Sequence, residues 1–94
     1  MQTVTVIVTR HTGAIEWLRR RGIEGNVITH ATPDDVTGAV VVGALPLNLA
    51  ALAAEVVTID MNLPPELRGV DLTPEQMDAC GATLRRYRVE AVKS

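Results

Sequence analysis

The chain has 94 residues and a formal net charge of −2, with 47% hydrophobic residues but no Phe, one Trp and one Tyr. That length supports one small domain, and the charge argues against a surface that coats long nucleic acid, which is ordinarily basic. A small anionic ligand held in a local pocket stays open. A core nearly free of aromatics has to be built from Val, Leu, Ile and Ala, the usual filling of helices packed on a parallel sheet. So small a core, with two helix-covered faces, gains by dimerising, and a homodimer is expected. The single Cys80 excludes an intramolecular disulfide and a thiolate zinc cluster, which suits a reducing cytoplasm. "MQTVTVIVTR" carries neither a basic n-region nor a cleavage signal, and no apolar run reaches membrane-spanning length. A cytoplasmic protein without membrane contact is therefore expected.

In chain order, "TVTVIV" (3–8) is β-branched throughout and predicts a buried strand. Residues 14–21 read as an amphipathic helix with Ala14, Trp17 and Leu18 on one face and Gly22 as its C-terminal stop. Trp17 is expected to anchor this helix or to sit at a dimer seam, and Arg19 to Arg21 form a solvated helix end. "NVITH" (26–30) is a second strand. "ATPDDVTGA" predicts a brief helical turn, with Thr32 as cap, Pro33 at the first position, and Asp34 and Asp35 complementing the dipole.

"AVVVGALP" holds a third strand, stopped by Gly43. A helix is predicted over 47–55, and "VVTIDM" is a fourth strand. Residues 62–72, with two prolines, Arg68 and Gly69, read as a loop. Thr73, Pro74 and Gln76 match a capping box. The helix they open is expected to run to about Arg86, with Met77, Cys80, Gly81 and Leu84 on one face and Cys80 in the core. "YRVEAVK" (87–93) fits either an edge strand or a frayed helix end.

This alternation predicts a small three-layer α/β, Rossmann-like domain over 1–94, with a mainly parallel sheet. Right-handed crossovers favour the strand order 2-1-3-4. The topological switch point then falls between strands one and three, and ligands of open α/β sheets bind there, at the carboxyl ends of the strands. Loops 9–13 and 43–48 meet at that point. The long loop carrying Arg68 leaves strand four on the same edge.

G-x-G-x-x-G after the first strand, a P-loop lysine, G-x-S-x-G and H-E-x-x-H are all missing, so dinucleotide binding, NTP hydrolysis and serine esterase chemistry are poorly supported. What remains suits an anion. The helix after 9–13 presents free N–H groups and a positive dipole end, and Gly13 lets a phosphate approach the backbone. Arg10 can hold a phosphate bidentately, and His11 can move a proton near neutral pH. Gly43 allows a second close approach, and Asn48 offers an amide donor and acceptor. Plainer roles stand beside these. Arg10 can pair with Glu16, His11 can be a cap, Asn48 can merely begin a helix, and His30 on the edge strand is read as structural. Asp34 and Asp35 read as a helix-start pair, and Arg85, Arg86 and Arg88 as a solvated helix end.

Four blocks in order, "TRHTGAIEWL", "GALPLNLAA", "LPPELRG" and "GATLRRYRV", make nearly the whole chain resemble the small Csx-class proteins associated with type III CRISPR systems. The resemblance implies a CARF-like dimer that binds cyclic oligoadenylate second messengers, some members being ring nucleases that cleave the messenger. It puts Arg10, His11 and Gly13 in a strand-one motif, with Thr9 where relatives are expected to carry serine. Gly43, Leu45, Pro46 and Asn48 fall in a strand-three motif, and Arg68 and Gly69 in a lid-like block. The catalytic candidates are thus His11 and Arg10. Thr9, Gly13, Gly43, Leu45, Asn48 and Arg68 are the ligand-binding candidates. No carboxylate cluster calls for a divalent metal, and no cofactor is expected. A module that binds the messenger without cutting it, and an interaction domain with an unused pocket, are the alternatives.

Overall fold

The computed structural model describes residues 4–92, so Thr3 of the first predicted strand and Lys93 of "YRVEAVK" lie outside the described residues. Three valine-rich segments form its centre: β1 (Thr5–Val8), β3 (Val40–Val42) and β4 (Glu55–Asp60). They run parallel, and their registers align Val6 with Val41 and Val41 with Val56 across the sheet. The next residues, Ile7, Val42 and Val57, align in the same way. Because side chains alternate between faces, the first row points to one side and the second to the other. Each row is the floor of its own buried apolar cluster. Burying one such Val or Leu side chain contributes about 1.5–3 kcal/mol.

β2 (Asn26–Ile28) adds to β1 in parallel, and β5 (Thr83–Tyr87) adds to β4 antiparallel, which makes the order β2-β1-β3-β4-β5. The expected order therefore holds for four strands, with a fifth added at the edge. Helices α1 (Thr12–Arg20) and α4 (Pro74–Ala79) cover one face. The single turns α2 (Pro33–Val36) and α3 (Leu47–Ala50) cover the other, which completes three layers. The caps lie where the sequence predicts: Thr32 opens α2, and Thr73 with Gln76 opens α4; Asp35, expected only to complement the dipole, also closes a capping box with Thr32.

Trp17, 1% exposed, is the anchor between α1 and α4. Its indole N–H donates to Asp78 Oδ1 at 2.8 Å, and the Arg21 guanidinium lies 4.3 Å from the centre of the ring. Arg20 reaches across to Glu75 at 2.9 Å. Two of the three arginines at this helix end, Arg20 and Arg21, are thus spent on the neighbouring helix, not on solvent alone.

Three expectations are corrected. The helix over 47–55 ends at Ala50, although alanines follow it. Gly38 N–H takes the Leu52 carbonyl and Ala54 N–H takes the Ala39 carbonyl, which turns the chain into β4 and overrides helix propensity. The helix expected to reach Arg86 ends at Ala79. Gly81 adopts φ +73°, and Gly81 and Ala82 donate back to Asp78 and Met77, a paired glycine stop. Leu84 and the arginines beyond it therefore lie on or after a strand. Arg86 bonds Glu55 at 3.1 Å, and Arg85 approaches Asp60 at 3.5 Å. Cys80, expected in the core, is only half-buried at the helix end. Residues 88–92 are neither strand nor helix.

Candidate ligand site at the switch point

After Val8 the chain turns to α1 on one face, and after Val42 it turns toward α3 on the other. The divergence opens a cleft of about 640 Å³ at the carboxyl ends of β1, β3 and β4. Thr9, Arg10, His11, Gly43 and Ala44 form its rim, and Ile59, Met61 and Met77 add apolar surface beside Thr29 and Thr58. The structure thus brings together four of the residues singled out in the sequence: Thr9, Arg10, His11 and Gly43.

The rim is built by short-range bonds. Thr9 N–H donates to the Ile28 carbonyl at 3.1 Å, which extends the β1–β2 ladder by one step. The Thr9 hydroxyl accepts from His11 N–H at 3.1 Å. His11 is the residue that caps α1 from the outside, with extended backbone, and its side chain makes no cap bond. Its Nδ1 instead contacts Asp71 Oδ1, a residue at the far end of the loop over 62–72. Nothing local in the sequence marks Asp71, because 60 positions separate the two. Only the placement of that loop over the first one could have pointed to it.

Arg10 is exposed, lines the cleft and has no carboxylate partner among the described residues. The pairing with Glu16 is not formed, because Glu16 instead holds Arg19 at 3.3 Å and Arg20 at 3.5 Å. The first turn of α1 contains no acidic residue. Asp71, however, brings a negative charge to this helix end through His11, so attraction for a phosphate rests chiefly on Arg10.

The two glycines have a structural reason that the sequence reading did not supply. A Cβ on Gly13 would lie 1.7 Å from the Leu72 carbonyl oxygen, so the close approach there is made by the chain itself. A Cβ on Gly43 would lie 2.5 Å from the Val8 carbonyl oxygen, and its φ is +135°. The Gly43 N–H is also engaged, donating to Val57 at 2.8 Å. Gly13 faces the segment from Asp71 to Pro74 and does not line the cleft.

Leu45 packs into the apolar cluster on the opposite face, and Asn48 is exposed on α3. Arg68 is exposed on the long loop, just after a 3-10 turn at Pro65–Leu67. None of these three lines the cleft. That loop does roof a smaller apolar cavity of about 180 Å³, with Leu63, Val70 and Met77 in its walls, and His11 borders both spaces. His30 is exposed at the end of β2, its Nδ1 3.3 Å from the Thr29 carbonyl oxygen. Among the described residues no three His, Cys, Asp or Glu side chains gather as a metal set. Among the described residues no helix is long and apolar enough to cross a membrane. The assembled chemistry is the Arg10 guanidinium, the His11 imidazole, the hydroxyls of three threonines and an apolar floor.

A protein-family model with the description "Putative CRISPR-associated protein (Cas_VVA1548)" matches residues 6–90. No curated protein and no solved structure matches the chain.

Proposed function

The chain belongs to the Cas_VVA1548 family of CRISPR-associated proteins, and from that premise we propose that it binds a cyclic oligoadenylate, cyclic tetra-adenylate in particular, and cuts the ring. As a ring nuclease it switches off the antiviral signal of a type III system. One observation carries this reading: Arg10, without a carboxylate partner among the described residues, and His11 stand on consecutive residues in a cleft at the mouth of a mainly parallel sheet. The resemblance to Csx-class proteins supplies the class of ligand.

The chemistry needs only what this rim offers. A ribose 2′-hydroxyl attacks its neighbouring phosphorus, the bond to the next nucleotide's 5′-oxygen breaks, and a linear product with a 2′,3′-cyclic phosphate results. The hydroxyl proton passes to a base, and the departing oxygen takes up a proton, so no water, external nucleophile or metal is required. The cleft holds the ring splayed, so that the attacking and leaving oxygens align. Arg10 stabilises the charge that develops on the phosphorane. His11 moves the proton, and Thr9 fixes the turn that presents them both. A two-fold homodimer supplies two copies of this set to a ring of matching symmetry.

The test is incubation with cyclic tri-, tetra- and hexa-adenylate, with and without EDTA, followed by mass spectrometry. Cyclic tetra-adenylate is expected to become linear in EDTA. His11→Ala is expected to slow cleavage by about 10²–10⁴-fold while binding persists, and Arg10→Ala to weaken both. Tight binding with no product, unchanged in His11→Ala, identifies a sequestering or sensing module instead. A protein that binds none of the rings sinks the reading altogether.

A further inference from the structure

We propose that Asp71 is the positioning residue of His11: it holds the ring as the Nδ1–H tautomer and leaves Nε2 as the nitrogen that exchanges protons in the cleft. The identity of the reaction rests on the function proposed above; the orientation of the ring does not. His11 Nδ1 and Asp71 Oδ1 are in contact. An ionised carboxylate can only accept, so in the neutral ring the proton belongs on Nδ1 and Nε2 carries the lone pair. No hydrogen bond or ion pair among the described residues engages Nε2.

An exposed pair of this kind is ordinarily weak, because solvent screens it and two side chains must be ordered. The side chains of His11 and Asp71 are 60% and 63% exposed. Here the backbone on both sides is already fixed by other bonds. Leu72, next to Asp71, is buried, and its carbonyl fills the space beside Gly13. Thr73 follows as the cap of α4, with its N–H held by Gln76 and its hydroxyl accepting from Gln76 N–H. On the other side, His11 N–H is held by the Thr9 hydroxyl. Both side chains therefore project from anchored backbone, and little further ordering is needed to join them. Asp71 makes no second ion pair among the described residues.

In the reaction, Nε2 takes the proton of the 2′-hydroxyl as its oxygen attacks phosphorus. The imidazolium that forms faces the Asp71 carboxylate, and it returns a proton to the 5′-oxygen as the bond to phosphorus breaks. Asp71 itself touches neither substrate nor proton in transit.

The chain contains only two histidines, so a proton–nitrogen correlation spectrum of the labelled protein, at a pH where both rings are neutral, resolves their tautomers without any ligand. His11 is expected as Nδ1–H. Asp71→Ala is expected to move His11 toward Nε2–H while the His30 signals and the thermal melt stay in place. In single-turnover cleavage of cyclic tetra-adenylate, the same variant should be slower by on the order of tenfold to a hundredfold, with messenger affinity little changed. A wild-type His11 in the Nε2–H form, or one that keeps Nδ1–H in Asp71→Ala, overturns the assignment. If the tautomer moves as expected and the wild type leaves the messenger intact, Asp71 keeps its role and the ring-nuclease reading fails.

Discussion

At the residue scale, a side chain that is missing matters as much as those present. Gly13 sits in the first turn of α1, where alanine would ordinarily favour the helix. The Leu72 carbonyl nevertheless occupies the position of its Cβ. Gly13→Ala is therefore expected to destabilise the protein by about 1–3 kcal/mol or more, the usual range for overpacking, read as a drop of several degrees in Tm. It should also push the loop over 62–72 away from α1 and separate Asp71 from His11. A melt equal to wild type would show that the approach is looser than the structure has it. The sequence made Gly13 legible as a point of close approach but not what approaches it, because a missing side chain names no partner. Arg10 and His11 were legible for the opposite reason: two polar residues directly after a buried strand have few places to go. Asp71 was not, since an aspartate in a loop is ordinary until the loop is placed.

At the element scale, α1 and α4 are joined through polar bonds at the rim of an apolar contact. The Trp17 indole N–H holds the Asp78 carboxyl below the ordinary carboxylate range; burial opposes it, and the Arg21 guanidinium adds to the lowering. Arg20 does the same for Glu75. A carboxyl with a lowered folded pKa adds stability that is fully present above its unfolded pKa of about 4. That stability is lost as the pH falls through the folded value. Thermal melts at decreasing pH should therefore show an acid-side loss of stability that is shallower in Asp78→Asn. An identical acid limb in the variant would mean that ionisation of Asp78 contributes nothing to stability. Element boundaries mark where local signals ended. The Thr32 cap and the Thr73–Gln76 capping box could be read from three or four residues, because their chemistry is local. The early end of α3 could not, since it is imposed by bonds to Gly38 and Ala39. Gly81 was a readable stop, but the apolar spacing of Met77 and Leu84 continued through it and imitated a longer helix.

At the scale of the whole molecule, the mainly parallel order follows from the β-branched runs and the handedness of crossovers, and both are written in the chain. What lies outside the four parallel strands is β5, whose pairing with β4 is antiparallel. Its exposed arginines look like a solvated helix end until Asp60 and Glu55 are found opposite them. Apolar side chains also remain on the outside, among them Val27 on the edge strand β2, and Leu47 and Leu52 around α3. A homodimer is the expected use of such surface in so small a chain. Light scattering after size exclusion at micromolar concentration should return twice the chain mass. A monomer there, unchanged by cyclic tetra-adenylate, would leave each cleft to act alone.

The bond between His11 and Asp71 also fixes an order of events during synthesis. Arg10 and His11 leave the ribosome long before Asp71, and α4 and β5, which secure the segment around it, come later still. A nascent or prematurely stopped chain carries the arginine and the histidine but not the carboxylate that meets the ring. The paired rim thus forms only in a chain that extends past the loop over 62–72.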